Sequence, residues 1–254
     1  MMREFVNWNI RMSRGFDRLF FGSFTRDGNT EFNDIIPALV EDGAQVADVG
    51  GGKTPFFSPE QVMVRRLRVT GVDIDAEQLT AAPEGAYSTV IVSALERCEP
   101  APHDYVVAQS VLEHVSDGRE AMAGIGRLLR PGGKVFTFCP NKRAWFARLN
   151  KLLPERLKRA ILFSVYPSKA ERQGFPAHYS GCTPAEMRIN MMLAGIRPLE
   201  TRYYFISSYF MFCFPLYFFW RISTFPLMRF WPDRYCETFI VFGVRCDQGV
   251  EFFY

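Results

Sequence analysis

The stretch VADVGGGKTPF, Val46 to Phe56, sets an acid, three consecutive glycines and a Lys-Thr pair side by side. A nucleoside-triphosphate loop reads G-x-x-x-x-G-K-[ST] and opens a helix at the Lys-Thr pair, whose N–H groups receive the phosphates. With Gly52, Lys53 and Thr54 as its end, the first glycine belongs at position 47, where Ala47 stands, and Pro55 opposes an immediate helix. A dinucleotide loop, G-x-G-x-x-G, fits Gly50 and Gly52 but meets Pro55 at the third glycine. A glycine turn after a strand remains, in which bare backbone approaches a ligand closely and positive φ is tolerated. Asp48 precedes this turn, and Asp73 follows it at the roughly twenty-residue spacing of a ribose-binding acid. Proton transfer has three histidines to draw on. His103, at the polar start of a strand, is expected at the surface; His114 lies in SVLEHV; His178 lies in GFPAHYSGCTP with Tyr179 beside it.

The elements that must position these residues alternate short apolar runs with helical patterns, as in a parallel sheet with crossovers. Strands are expected at 46–50, 68–74, 88–94, 104–110 and 134–140, with two more near 197–205 and 237–246. Ser58 followed by Pro59 marks a helix start, and EAMAGIGRLLR has helical apolar spacing up to Pro131. The chain to about residue 40 reads as helical, with Trp8, Phe16, Phe20 and Phe21 covering one edge of the core.

VADVGGGKT, VTGVDID, HDYVVAQSVLEHV and LLRPGGKVFTF resemble, in order and spacing, the class I S-adenosylmethionine-dependent methyltransferase family, in its type 11-like small-molecule and lipid branch. The likeness is strong over roughly residues 40 to 140, and Thr54 stands where the family commonly has a further glycine. It implies an α/β Rossmann-like, seven-stranded, mostly parallel sheet with helices on both faces and an antiparallel last strand. It further implies one methyltransferase domain over 1–254: an N-terminal helical cap (1–45), a cofactor-binding core (46–140), a basic amphipathic acceptor-side insertion (141–197), and last strands with an aromatic insertion at 205–232 (198–254).

The resemblance implies S-adenosyl-L-methionine as cofactor and S-adenosyl-L-homocysteine as product. Gly50 and Gly52 would lie against the methionine portion, and Asp48 would hold the turn or accept from the ammonium. Asp73 would accept both ribose hydroxyls, with Ile74 on an adenine face and Asp75 capping the next helix. Ser93, Ala94 and Leu95 would meet the adenine edge, and Gln109 the loop beside the transferable methyl group. His178 is the preferred general base and His114 the second catalytic candidate. The fourth strand lacks the [DN]-P-P-[YF] mark of base and glutamine methylation, so nucleic acid is not the expected acceptor.

Composition narrows the acceptor. A net charge of +3 gives no general nucleic-acid signal. The six cysteines form no CxxC pair and no metal-like spacing, so no metal site is expected and a reduced, cytoplasmic setting is. The N-terminal stretch lacks the apolar run of a secretory signal. Basic and apolar residues alternate in a helical pattern over 141–169, and FISSYFMFCFPLYFFWRISTFPLMRFWP mixes aromatics and arginine as interfacial segments do. Pro215 interrupts that run too early for a spanning helix. The expected function is methylation, on oxygen, of a hydrophobic or lipid-linked small molecule, with peripheral contact at the inner face of a membrane. The alternatives are a soluble small-molecule methyltransferase with an aromatic lid and a non-catalytic cofactor-binding module.

Overall fold

The computed structural model describes residues 2–145, 147–148, 176–206 and 210–246. In chain order the principal elements are α1 (Met2–Phe20), α2 (Gly28–Leu39), β1 (Gln45–Val49), α3 (Pro59–Val64), β2 (Arg68–Asp73), α4 (Ala76–Thr80), β3 (Thr89–Val92), β4 (His103–Gln109), α5 (Gly118–Leu128), β5 (Leu129–Pro140), α6 (Pro184–Leu193), β6 (Ile196–Tyr204), α7 (Phe214–Phe230), α8 (Pro232–Tyr235) and β7 (Thr238–Arg245). Two compact units emerge, one of Gly28–Cys139, Ala177–Arg202 and Phe239–Tyr254, the other of Met1–Asp27, Pro140–Pro176 and Tyr203–Thr238.

The first unit is built on a seven-stranded sheet in the order β3-β2-β1-β4-β5-β7-β6. β1 pairs in parallel with β2 and β4, β2 with β3, and β4 with β5. Val46, Ala47 and Val49 are all buried, the two-sided burial that makes a central parallel strand read as a continuous apolar run. β7 runs antiparallel to β5, since Thr137 donates to Val241 O (3.2 Å) while Asn141 N, just past the end of β5, donates to the O of the earlier residue Glu237 (2.9 Å). Strand order therefore reverses between β1 and β4, and the crevice beyond their C-terminal ends is where open α/β sheets bind ligands.

Local chemistry fixes the helices between these strands. Ser58 and Gln61 form a capping box with Pro59 in the first turn, so α3 starts there and not at the Lys53-Thr54 pair. Asp75 caps α4 by accepting from Glu77 N and Gln78 N, Asp117 caps α5 in the same way, and the Thr183 hydroxyl caps α6. A Cβ on Gly124 would lie 1.8 Å from Leu95 O, and one on Gly118 2.2 Å from Ser180 O, so α5 docks at backbone distance on the loops around it.

The second unit holds α1, α7 and α8, and here the expectation for the N-terminal aromatics needs correction. Trp8 and Phe20 are exposed, whereas Asn9, Ser13 and Asp17 are buried. Asn9 accepts from Phe214 N (2.7 Å), Ser13 donates to Met211 O (3.3 Å), and Asp17 accepts from Tyr217 and from Arg221 Nε (2.9 Å). The polar groups spaced four apart win the inner face because each finds a partner there. Of the expected basic helix at 141–169, residues 146 and 149–169 lie outside the described residues. The aromatic segment folds as α7, with Pro215 in its first turn and Pro226 inside it. No described helix is long and apolar enough to cross a membrane.

Candidate cofactor and active site

The glycine turn is braced by a buried acid. Asp48 Oδ2 accepts from Phe56 N at 2.8 Å, closing the loop on itself. The Tyr87 hydroxyl lies 3.2 Å from that oxygen and 3.1 Å from Gly52 O. Burial pushes the Asp48 pKa up to about 6, partly offset by these two donors. Burial beside Asp48 likewise raises the Tyr87 pKa, which keeps the phenol a donor.

Gly50 and Gly52 have φ of +73° and +47°, the left-handed region that favours glycine. A Cβ on Gly50 would lie 2.4 Å from Val111 Cγ2, and Gly51, which the sequence reading did not single out, is also constrained by space. A Cβ there would lie 2.4 Å from Asp48 Oδ2 and 2.5 Å from the Tyr87 hydroxyl. Thr54 folds back, its N–H 2.9 Å and its hydroxyl 3.3 Å from Gly51 O, and Lys53 is exposed. This turn has no helix to offer a triphosphate.

Asp73 ends β2 half-buried. Its Oδ1 accepts from Asp75 N (3.0 Å), and its Oδ2 lies 3.2 Å from where a Gly52 Cβ would stand. Burial is the main cause raising its pKa. Ile74 next to it is exposed. Asp73 O accepts from Ser93 N (2.9 Å), which sets the Ser93–Leu95 loop beside the end of β2. Ser93 Oγ bonds Ala94 O at 3.0 Å, and Leu95 is buried. At the end of β4, Gln109 donates to Asn29 Oδ1 (2.8 Å). Ser110 follows with φ +53°, an uncommon conformation for a residue other than glycine, and donates its N–H to Phe138 O (2.9 Å).

The histidines divide. His178 is exposed, and its N–H and that of Tyr179 both donate to Glu113 O, at 2.8 and 2.9 Å. The loop carrying His178 is thus tied to the turn carrying His114. His114 Nε2 is 4.0 Å from Glu113 Oε1. Glu113 itself is buried, and burial pushes its pKa up to about 7. The surface expectation for His103 is overturned: the ring is buried, with Nδ1 3.1 Å from Leu128 O and Nε2 2.9 Å from Thr70 Oγ1. It links β2 to the end of α5, and both ring nitrogens are occupied far from the C-terminal edge of the strands.

A glycine turn at the reversal point of this sheet, flanked by acids on β1 and at the end of β2, is the arrangement that the resemblance to class I methyltransferases implies. The family described as "Methyltransferase domain" matches residues 47–137. A ubiquinone biosynthesis O-methyltransferase of Dechloromonas aromatica is 30% identical over 193 residues, covering 68% of this chain and 78% of that protein. The corresponding protein of Idiomarina loihiensis is 32% identical over 113 residues, covering 41% of this chain and 46% of that protein. The structure of the N-methyltransferase NodS from Bradyrhizobium japonicum, in complex with S-adenosyl-L-homocysteine, superposes with a TM-score of 0.51 at 12% identity over 91% of both chains, a likeness of fold. The chain belongs to the class I S-adenosylmethionine-dependent methyltransferase family. It spans about half the length of several curated relatives that it matches, 46%, 59% and 45% in three cases.

Proposed function

We propose that the chain catalyses S-adenosylmethionine-dependent methylation, on oxygen, of a hydrophobic or lipid-linked small molecule. The observation that carries the proposal is the cradle in which Gly50, Gly51 and Gly52 leave backbone bare between Asp48 and Asp73. A cofactor with a cationic amino-acid end and a ribose fits that donor set, and when bound it supplies an electrophilic methyl group on sulfur. Asp73 accepts the ribose hydroxyls, Ile74 covers an adenine face, and Ser93, Ala94 and Leu95 meet the adenine edge. Asp48 acts by bracing the turn, since its Oδ2 is engaged by Phe56 N and Tyr87. Gln109 borders the reacting end. His178 takes the proton from the acceptor hydroxyl on an imidazole nitrogen, with His114 lining the site. The relatives named for ubiquinone biosynthesis support a hydrophobic acceptor.

The reading of 1–254 as a single methyltransferase domain, a cytoplasmic location and peripheral contact with the inner face of a membrane belong to the same proposal. Its test is incubation of the purified protein with methyl-labelled cofactor and a cell extract. Protein-dependent label in the organic phase is expected, and His178→Ala should lower turnover by about a hundredfold or more without changing cofactor affinity. Label confined to the aqueous phase would indicate a soluble acceptor. Tight cofactor binding without transfer would indicate a binding module.

A further inference from the structure

The helical unit buries polar groups beside Tyr217, Trp220 and Met228 and leaves other large apolar side chains outside. On α1, Asn9, Ser13 and Asp17 are 1%, 0% and 2% exposed, while Trp8, Leu19 and Phe20 are 53%, 77% and 64% exposed. Arg221 of α7 is fully buried, and Phe219 and Phe230 are 71% and 69% exposed. A water-facing helix arranges these types the other way round. The outward side of α7 carries Leu216, Phe219, Ile222 and Phe230, and the helix has no Asp or Glu along its length.

The two apolar faces are continuous. Exposed Phe20 leads to Phe16 (5.0 Å between ring centroids), Phe16 to Phe218 (5.1 Å) and Phe218 to exposed Phe219 (5.6 Å), an unbroken line of rings from α1 to α7. At about 100° per residue, Phe5, Trp8, Met12 and Leu19 form one stripe along α1, and exposed Arg11, Arg14 and Arg18 lie on the adjoining polar side. An apolar stripe with tryptophan, bordered by a row of cations, is the pattern of a helix lying in the plane of a bilayer interface.

We propose that the outward faces of α1 and α7 together dock this unit on an anionic phospholipid surface, with the aromatic side chains in the acyl boundary and Arg11, Arg14 and Arg18 at the phosphates. The proposal rests on the peripheral membrane contact put forward above and names the surface that makes it. A second copy of the chain is the poorer occupant, because a twofold contact would bring the arginine row of α1 towards its own copy.

The experiment is flotation of the whole 254-residue chain with phosphatidylcholine vesicles, with and without phosphatidylglycerol. Binding is expected to require phosphatidylglycerol, and to weaken with salt without vanishing, because inserted aromatics are not screened. Reversing the three arginines (Arg11→Glu, Arg14→Glu, Arg18→Glu) should lower partitioning by on the order of a hundredfold or more. Trp8→Ser with Phe219→Ser should also release the protein, and Met63→Ser, on α3 of the other unit, should not. A measurement independent of variant folding is quenching of wild-type tryptophan fluorescence by brominated phosphatidylglycerol, with the Trp8 share identified by Trp8→Phe. Absence of flotation at low salt, variants that float like wild type, or a reversible dimer dissolved by the same substitutions would each overturn the proposal. Calorimetric cofactor affinity and transfer to detergent-solubilised extract are measured on the same samples. Intact transfer without flotation sinks this surface alone, and flotation without transfer sinks the catalytic reading alone.

Discussion

Asp48 and Asp17 are both buried aspartates, one in each unit, and they solve the same desolvation problem differently. Asp48 is held by a backbone N–H and a phenol, with no cation among its hydrogen-bond partners, and its carboxyl is pushed up to about 6. Asp17 is held by Arg221 and Tyr217; burial still raises its pKa, and the guanidinium draws it back. In the sheet unit a polar group goes inside to shape a turn of three glycines. In the helical unit, polar groups go inside to join two helices, while Trp8 and Phe20 of α1 and Phe219 and Phe230 of α7 stay exposed. Burial of an acid therefore says little by itself, and its partners say what the burial is for.

The comparison breaks most sharply at Asp73. If the half-buried acid of the sheet unit serves the cofactor, Asp73→Ala removes the acceptor of two charge-assisted bonds of about 1.5 to 3 kcal/mol each, and cofactor affinity should fall roughly a hundred- to ten-thousand-fold. Calorimetry finding unchanged affinity in a folded variant would sink the ribose assignment.

The helical unit's counterpart is Glu237, buried among the described residues with no hydrogen-bond partner at either carboxylate oxygen. Burial raises its pKa from 4.5 to about 8, against the pull of Arg221. The folded chain therefore holds a proton that the unfolded chain releases. The stability contributed is complete below the unfolded value of 4.5 and is lost as pH rises through about 8. Glu237→Gln should match wild type in melting temperature near the acid end of that window and exceed it by about 5 °C or more at the alkaline end. A constant offset across the range would show that titration is not involved.

The smallest effect sharpens the comparison from the side of the turn. Lys53→Ala should change cofactor affinity less than about twofold, and ATP should not bind, because Lys53 is exposed and the next helix begins only at Pro59. ATP affinity that disappears in this variant would restore the phosphate-loop reading.

The central strands β1 and β4 were legible because buried parallel strands are apolar without interruption, the other strands because short β-branched and aromatic runs end in turn residues, and the starts of α3 and α4 because Ser58-Pro59 and Asp75 act within one turn. Gly51 was not, since its constraint comes from the pairing of Asp48 with Tyr87, which lies far along the chain. His103 was misjudged for the same reason: its partners Thr70 and Leu128 belong to other elements. In α1 the signal was present in the spacing of Asn9, Ser13 and Asp17, but only partners on and just before α7 decide that this face turns inward.

Ser110 keeps its φ of +53° at the point where β4 gives way to the turn of Glu113 and His114. Glycine would rest there without strain, and a serine costs on the order of 1 kcal/mol. The backbone at this spot is therefore loaded like a bent spring, held by the Phe138 carbonyl on one side. A chain that tolerates such a load where β4 ends has a turn whose shape is dictated by the surrounding sheet and not by its own preference, so the path of the backbone from β4 into the turn of Glu113 and His114 is fixed by its neighbours.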